Sequence, residues 1–118
     1  MESLLTKFNK DIGSALLSCD IWQNDTGKSL VSINRNINFS EVFRNVCNYI
    51  EKNLEAIGLP PVKNYQIIDL EMETILLFVK LDEKHTFGCI IDKSKVALST
   101  LTNITVPNLI NWFEQRGE

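Results

Sequence analysis

A chain of 118 residues, 44% apolar and 23% charged, fits one ordinary globular domain spanning 1–118 and excludes a fibrous or disordered class. Its net charge of −3 argues against nonspecific binding to nucleic acid or an anionic membrane, because nothing in that balance attracts phosphate strongly. The longest apolar run, Ile75-Leu76-Leu77-Phe78-Val79, is far too short to insert across a bilayer.

Leu4, Leu5, Phe8 and Ile12 recur at helical spacing after Ser3, a possible N-cap, and Gly13 can close the helix. The start Met1-Glu2-Ser3-Leu4-Leu5 lacks the basic stretch and cleavage site of a signal peptide. Ala15 to Trp22 and Ser29 to Ile33 are apolar runs separated by Asn24-Asp25-Thr26-Gly27. These turn residues tolerate a left-handed backbone, so the pattern predicts a hairpin.

Asn38 with Glu41 three residues on forms a capping-box pattern, and Ser40 is a second candidate cap. The helix it opens carries Val42, Phe43, Val46, Cys47, Tyr49, Ile50, Leu54, Ala56 and Ile57, and Gly58 with Pro60-Pro61 ends it. At about 100° per residue these positions cover an arc of roughly 180°, broken only by Asn53. A helix resting on one sheet needs a stripe of little more than about 100°. The excess calls for cover by a second subunit or a packed loop.

Tyr65 to Met72, Thr74 to Leu81 and Thr86 to Asp92 read as three strands. The middle one, apolar on both faces, has the pattern of a central strand. Asp82-Glu83-Lys84-His85 makes the last turn. A closing helix, single or split in two, is expected over about Lys95–Gln115, with the stripe Leu98, Leu101, Thr105, Leu109 and Trp112. Pro107 should kink or restart it. The resulting fold class is α/β (α+β), a three-layer sandwich on a five-stranded antiparallel sheet in the order α-β-β-α-β-β-β-α. The second helix covers one face and the terminal helices the other.

No chemistry-bearing motif survives inspection. Thr26-Gly27-Lys28-Ser29 suggests a phosphate loop, but Trp22 stands where that loop needs glycine, and a strand follows rather than a helix. His85 has no Cys or His partner at ligand spacing, so no metal site is expected. Cys89, four residues on, lacks an orienting group and oxyanion donors. Of the carboxylates, Glu71, Glu73, Asp82 and Glu83 fall at strand ends and turns. Asp69 instead interrupts an apolar strand, where it could face solvent at an edge or meet a partner strand. Cys19, Cys47 and Cys89 are scattered and read as buried thiols in a reducing, cytoplasmic setting. No catalytic residue and no cofactor is expected.

The element order and several phrases resemble the roadblock family of dynein light chains and bacterial GTPase regulators. Cys19-Asp20-Ile21-Trp22-Gln23-Asn24-Asp25-Thr26-Gly27 is similar to the family's first strand and hairpin. Asn64 to Glu71 and Thr74 to Val79 resemble its next two strands, and Phe87 to Val96 the last strand entering the closing helix. The resemblance implies homodimerisation, with the second helices packed antiparallel and the third strands joined into one sheet. It also implies non-catalytic binding to a small Ras-like GTPase or a motor or scaffold complex. On that basis the dimer interface is expected at Val46, Tyr49, Asn53 and Ala56, with Ile67 and Asp69 on the strand. Phe43, Cys47, Ile50 and Leu54 would face the sheet, and periodicity alone allows the reverse. Two alternatives remain: a type III secretion-like chaperone, which usually places three strands before its second helix, and a small-ligand sensor of profilin- or PAS-like architecture.

Overall fold

In the computed structural model, which describes residues 2–33 and 39–115, the main elements follow the expected order. Helix α1 (Glu2–Ile12) buries Leu4, Leu5 and Phe8 along one face and stops where Gly13 takes φ +65°, a left-handed conformation that costs glycine little. A 3₁₀ turn leads into β1 (Leu16–Gln23), which pairs antiparallel with β2 (Ser29–Ile33). Buried Asp20 accepts a hydrogen bond from Ser29 Oγ at 2.6 Å, tying the two strands together beside the main-chain ladder.

Helix α2 (Phe39–Ala56) begins at Phe39, which puts Ser40 inside its first turn; the candidate cap Asn38 lies outside the described residues. Its end is a Schellman motif. Leu59 N–H donates to Leu54 C=O at 2.9 Å and Gly58 N–H to Glu55 C=O at 3.0 Å, with Gly58 at φ +77°.

The remaining strands are β3 (Tyr65–Leu70), β4 (Thr74–Lys80) and β5 (His85–Asp92), and the antiparallel sheet runs β2-β1-β5-β4-β3. Two expectations need correction. The third strand stops at Leu70 rather than Met72, because Met72 and Glu73 turn at φ 61° and 56°. The central strand is β5. Strand β4 is apolar on both faces because helices cover both sides of it, although it lies one place from the edge.

The chain closes with a 3₁₀ turn at Lys93–Lys95, then α3 (Leu98–Thr100), a π-helical turn at Leu101–Thr105 and α4 (Val106–Glu114). Val106 N–H donates to Leu101 C=O, five residues back, just before Pro107. Proline has no N–H to give and crowds the carbonyl four residues earlier, so a widened turn ahead of it lets the helix continue. The wider turn also rotates the stripe. Phe113 is buried where Trp112 was expected, and Leu98 is half-exposed. Among the described residues, no helix is long and apolar enough to cross a membrane.

Candidate interaction surface

The sheet has two unequal covers. Beneath α1 and α4, Phe8, Ile21, Ile75, Leu77, Val79, Phe87, Leu101 and Leu109 form a continuous core. Beneath α2 the fully buried cluster is Trp22, Phe43 and Phe78, with ring centroids 5.3 Å apart for Phe43–Phe78 and 6.1 Å for Trp22–Phe43. Gly88 makes that approach possible: a Cβ there would lie 2.7 Å from the Trp22 ring and 2.9 Å from Phe43. Gly27, at φ +71°, plays the same part in the β1–β2 turn, where a Cβ would collide with the Arg44 guanidinium.

These contacts orient α2. Phe43 points into the sheet, while Val46, Cys47, Ile50 and Leu54 are half-buried. Tyr49, Asn53 and Ala56 are exposed, Tyr49 at 71%. Val46 therefore sits at the boundary, packed against the aromatic cluster rather than standing clear on the outer ridge. Asn53 folds back on its own helix, donating to Tyr49 C=O at 2.8 Å. Val42 (50%) and Ile57 (71%) are further exposed apolar residues. Periodicity had placed both in the apolar arc; only the angle at which Phe43 anchors the helix shows them to be outside.

The opposite flank of α2 is polar. Arg44, Asn48 and Glu51 line a cleft of about 220 Å³ with Trp22, Gln66 and Lys80. Its rim is tied down by Val62, whose N–H donates to Glu51 Oε1 at 3.1 Å and whose C=O accepts from Lys80 Nζ at 3.0 Å. The two flanks of one helix thus differ in chemistry: one is polar, with Arg44 Nε and Gln66 Oε1 buried and without a hydrogen-bond partner, and the other is apolar and exposed.

Strand β3 is an outer strand, with no strand beyond it among the described residues. Ile67 is half-buried against the α1-side core, and Ile68 against the α2-side cluster. Asp69 is exposed and accepts from Lys93 Nζ at 2.8 Å; that hydrogen bond holds the ammonium above its usual range. Near this edge Leu70 is 42% and Met72 93% exposed. A long exposed edge is a template for another chain, and a charge on it limits indiscriminate pairing.

Among the described residues no three His, Cys, Asp or Glu side chains gather as metal ligands. Burial pushes the Cys19 and Cys47 thiols up to about 12 and Cys89 well above its ordinary value, which disfavours the thiolate at all three. His85 is bound to Asp82 Oδ1 at 2.9 Å and rests against Phe113, an arrangement that pins the β4–β5 turn to α4.

One long helix on one face, the terminal helices on the other and the order β2-β1-β5-β4-β3 between them define the roadblock fold. The roadblock/LC7 domain from Streptomyces avermitilis superposes with a TM-score of 0.73 at 9% identity, over 98% of this chain and 96% of its own. Myxococcus xanthus MglB follows at 0.67 and 11% identity, over 97% of this chain and 85% of its own. Acanthamoeba castellanii profilin II shares the wider architecture at 0.52 and 14% identity, over 88% and 89%. At such identities the likeness is one of fold. No family model matches the chain, and no curated protein matches it in sequence.

Proposed function

We propose that the chain is a non-catalytic, homodimeric binding module of the cytoplasm that regulates or docks a small Ras-like GTPase, or a motor or scaffold complex. The observation that carries this reading is the coincidence, on a roadblock fold, of a β3 edge unpaired among the described residues with the exposed apolar ridge of α2. Two copies joined along β3 would continue the sheet. They would also bring the Tyr49, Asn53 and Ala56 ridges toward each other, removing apolar area that one subunit leaves in water. The likeness to MglB supports the regulator reading, and its strength is that of a shared fold.

A second reading, a small-ligand sensor, draws on the polar cleft beside α2 and on the profilin likeness. The chaperone alternative draws support from neither; two strands precede α2 here, not three. The discriminating experiment is affinity capture from native lysate with GTP-analogue and GDP arms, read by mass spectrometry. Recovery of a small GTPase, more in one arm than the other, is the expected result. A secreted effector would favour the chaperone, and no GTPase in either arm would overturn the regulator reading.

A further inference from the structure

We infer that the cleft beside α2 binds a small hydroxy-monocarboxylate, with the carboxylate held by Arg44 and the hydroxyl by Gln66. This inference rests on the sensor reading above, whose ligand it names, and is independent of the GTPase and dimer readings.

The cleft lies where α2 crosses two rows of the sheet. Trp22, Thr86 and Lys80 stand side by side across β1, β5 and β4, and Gly88, Phe78 and Gln66 across β5, β4 and β3. Alternation puts these residues on the face that α2 covers, the face of the Trp22–Phe78 cluster. Arg44, Asn48 and Glu51, spaced at i, i+4 and i+7, form the helical wall above that floor.

Most polar groups here are already engaged. Asn24 Nδ2 donates to Glu83 C=O at 3.1 Å, and Asn24 Oδ1 accepts from Thr86 Oγ1 at 2.6 Å. Glu51 and Lys80 each hold a main-chain group of Val62, so their charges balance at that end of the cleft. Asn48 and Glu83 are exposed to water.

Two groups in the cleft are left over. Arg44 Nε and Gln66 Oε1 are buried without a hydrogen-bond partner. Arg44 forms no ion pair among the described residues. Seven residues of helix set Glu51 about 10 Å from it along the axis. The guanidinium is packed face-on against Gly27, where a Cβ would meet Nη1, Cζ and Nε alike. A guanidinium so held offers a fixed fork of N–H donors, which matches the two oxygens of a carboxylate. Gln66 Oε1 needs a donor, which a carboxylate lacks and a hydroxyl on the same ligand supplies. A buried group left unpaired destabilises the fold, and a ligand that answers both groups removes that penalty on binding.

Size and charge narrow the class. The cleft's volume of about 220 Å³ compares with the roughly 150 Å³ cavity that accepts benzene, which sets the ligand at about nine non-hydrogen atoms. A nucleotide is far larger. With Glu51 balancing Lys80, Arg44 is the unmatched charge of the cleft, which favours a monoanion over a zwitterion or a dianion.

Nuclear magnetic resonance of the isotope-labelled chain tests the site with beta-hydroxybutyrate as probe. Butyrate lacks its hydroxyl, butanediol lacks its carboxylate, and phosphate and butylamine represent other classes. Beta-hydroxybutyrate should shift the Trp22 indole and Gln66 amide signals saturably and leave the indole of Trp112, on α4, in place. Butyrate should bind about tenfold more weakly, and butanediol should not bind. Arg44→Met should abolish the shifts, and Gln66→Leu should lower the affinity for beta-hydroxybutyrate to that for butyrate. Each substitution removes an unpartnered buried polar atom, so neither should lower the melting temperature. A lowered one would show the group serving the fold and overturn its assignment. Saturable shifts at Trp22 and Gln66 with another probe but not with beta-hydroxybutyrate would overturn the ligand class and keep the sensor reading. No saturable shift there with any probe would overturn both and leave the GTPase reading untouched.

Discussion

Beneath α1 and α4 the sheet buries Leu4, Leu5, Phe8, Leu77, Phe87, Leu109 and Phe113 to 2% exposure or less, whereas beneath α2, among the described residues, only Trp22, Phe43 and Phe78 are enclosed that fully. One side is a finished core. The other is a long helix seated, among the described residues, on the rings of Trp22, Phe43 and Phe78, polar along one flank and apolar and open along the other. A layer held so lightly leaves exposed apolar surface, the feature on which the proposed binding function rests.

The largest expected effect lies on the finished side. Phe8→Ala should cost about 3–5 kcal/mol, since a fully buried ring is lost from a core that cannot collapse around the gap. Urea unfolding measures it. A loss below about 1 kcal/mol would remove the contrast between the faces.

Val46→Asp should cost about 3 kcal/mol, because an unpaired carboxylate would be pressed against the aromatic cluster. Thermal melting and solution mass should both respond, since Val46 lies at the junction of core and ridge; an unchanged dimer mass would take Val46 out of the interface.

Gly88→Ala should cost about 1–3 kcal/mol by overpacking. Its methyl would meet Trp22 at 2.7 Å, and those rings have little room to yield. A near-ultraviolet dichroism change with retained helix content would locate the damage under α2.

Tyr49→Ala should weaken association by about 1–2 kcal/mol while monomer stability moves by no more than about 0.5. Equal losses in both would mean that the ridge serves the fold alone.

The smallest effect concerns Asp82. Burial alone would raise its carboxyl, but the N–H groups of Lys84 and His85 and the His85 ring outweigh that and hold it below 3.8. A depressed carboxylate contributes stability that is fully present above pH 3.8 and is lost as pH falls through its folded value. On so exposed a group this amounts to roughly a few tenths of a kcal/mol. Asp82→Asn should flatten the acid limb of the stability profile by that much, and an unaltered limb would remove the latch.

Much of this organisation was legible in the sequence because burial imprints periodicity. Leu4, Leu5 and Phe8 marked one helix face, the alternation of Ile75 to Val79 marked a strand covered twice, and Gly13 and Gly58 marked two helix ends. Where local chemistry departed from residue preference, the pattern failed. The β3–β4 turn uses Met72 and Glu73 in left-handed conformations that asparagine or glycine would normally signal, so the strand read two residues too long. The π turn before Pro107 inserts a rotation that no 3.6-residue pattern contains, so Trp112 stood in for Phe113. Of the candidate surface, the composition of α2 was readable but its angle was not, because Phe43 fixes that angle through contacts with Trp22 and Phe78 far away in the chain.

Sedimentation equilibrium of the wild-type chain at tens of micromolar bears most directly on the open α2 face and the unpaired β3 edge. A mass twice the 13.5 kDa of the chain, falling toward the single-chain value for Tyr49→Ala, is the expected result. A wild-type mass of 13.5 kDa across the whole concentration range would contradict it.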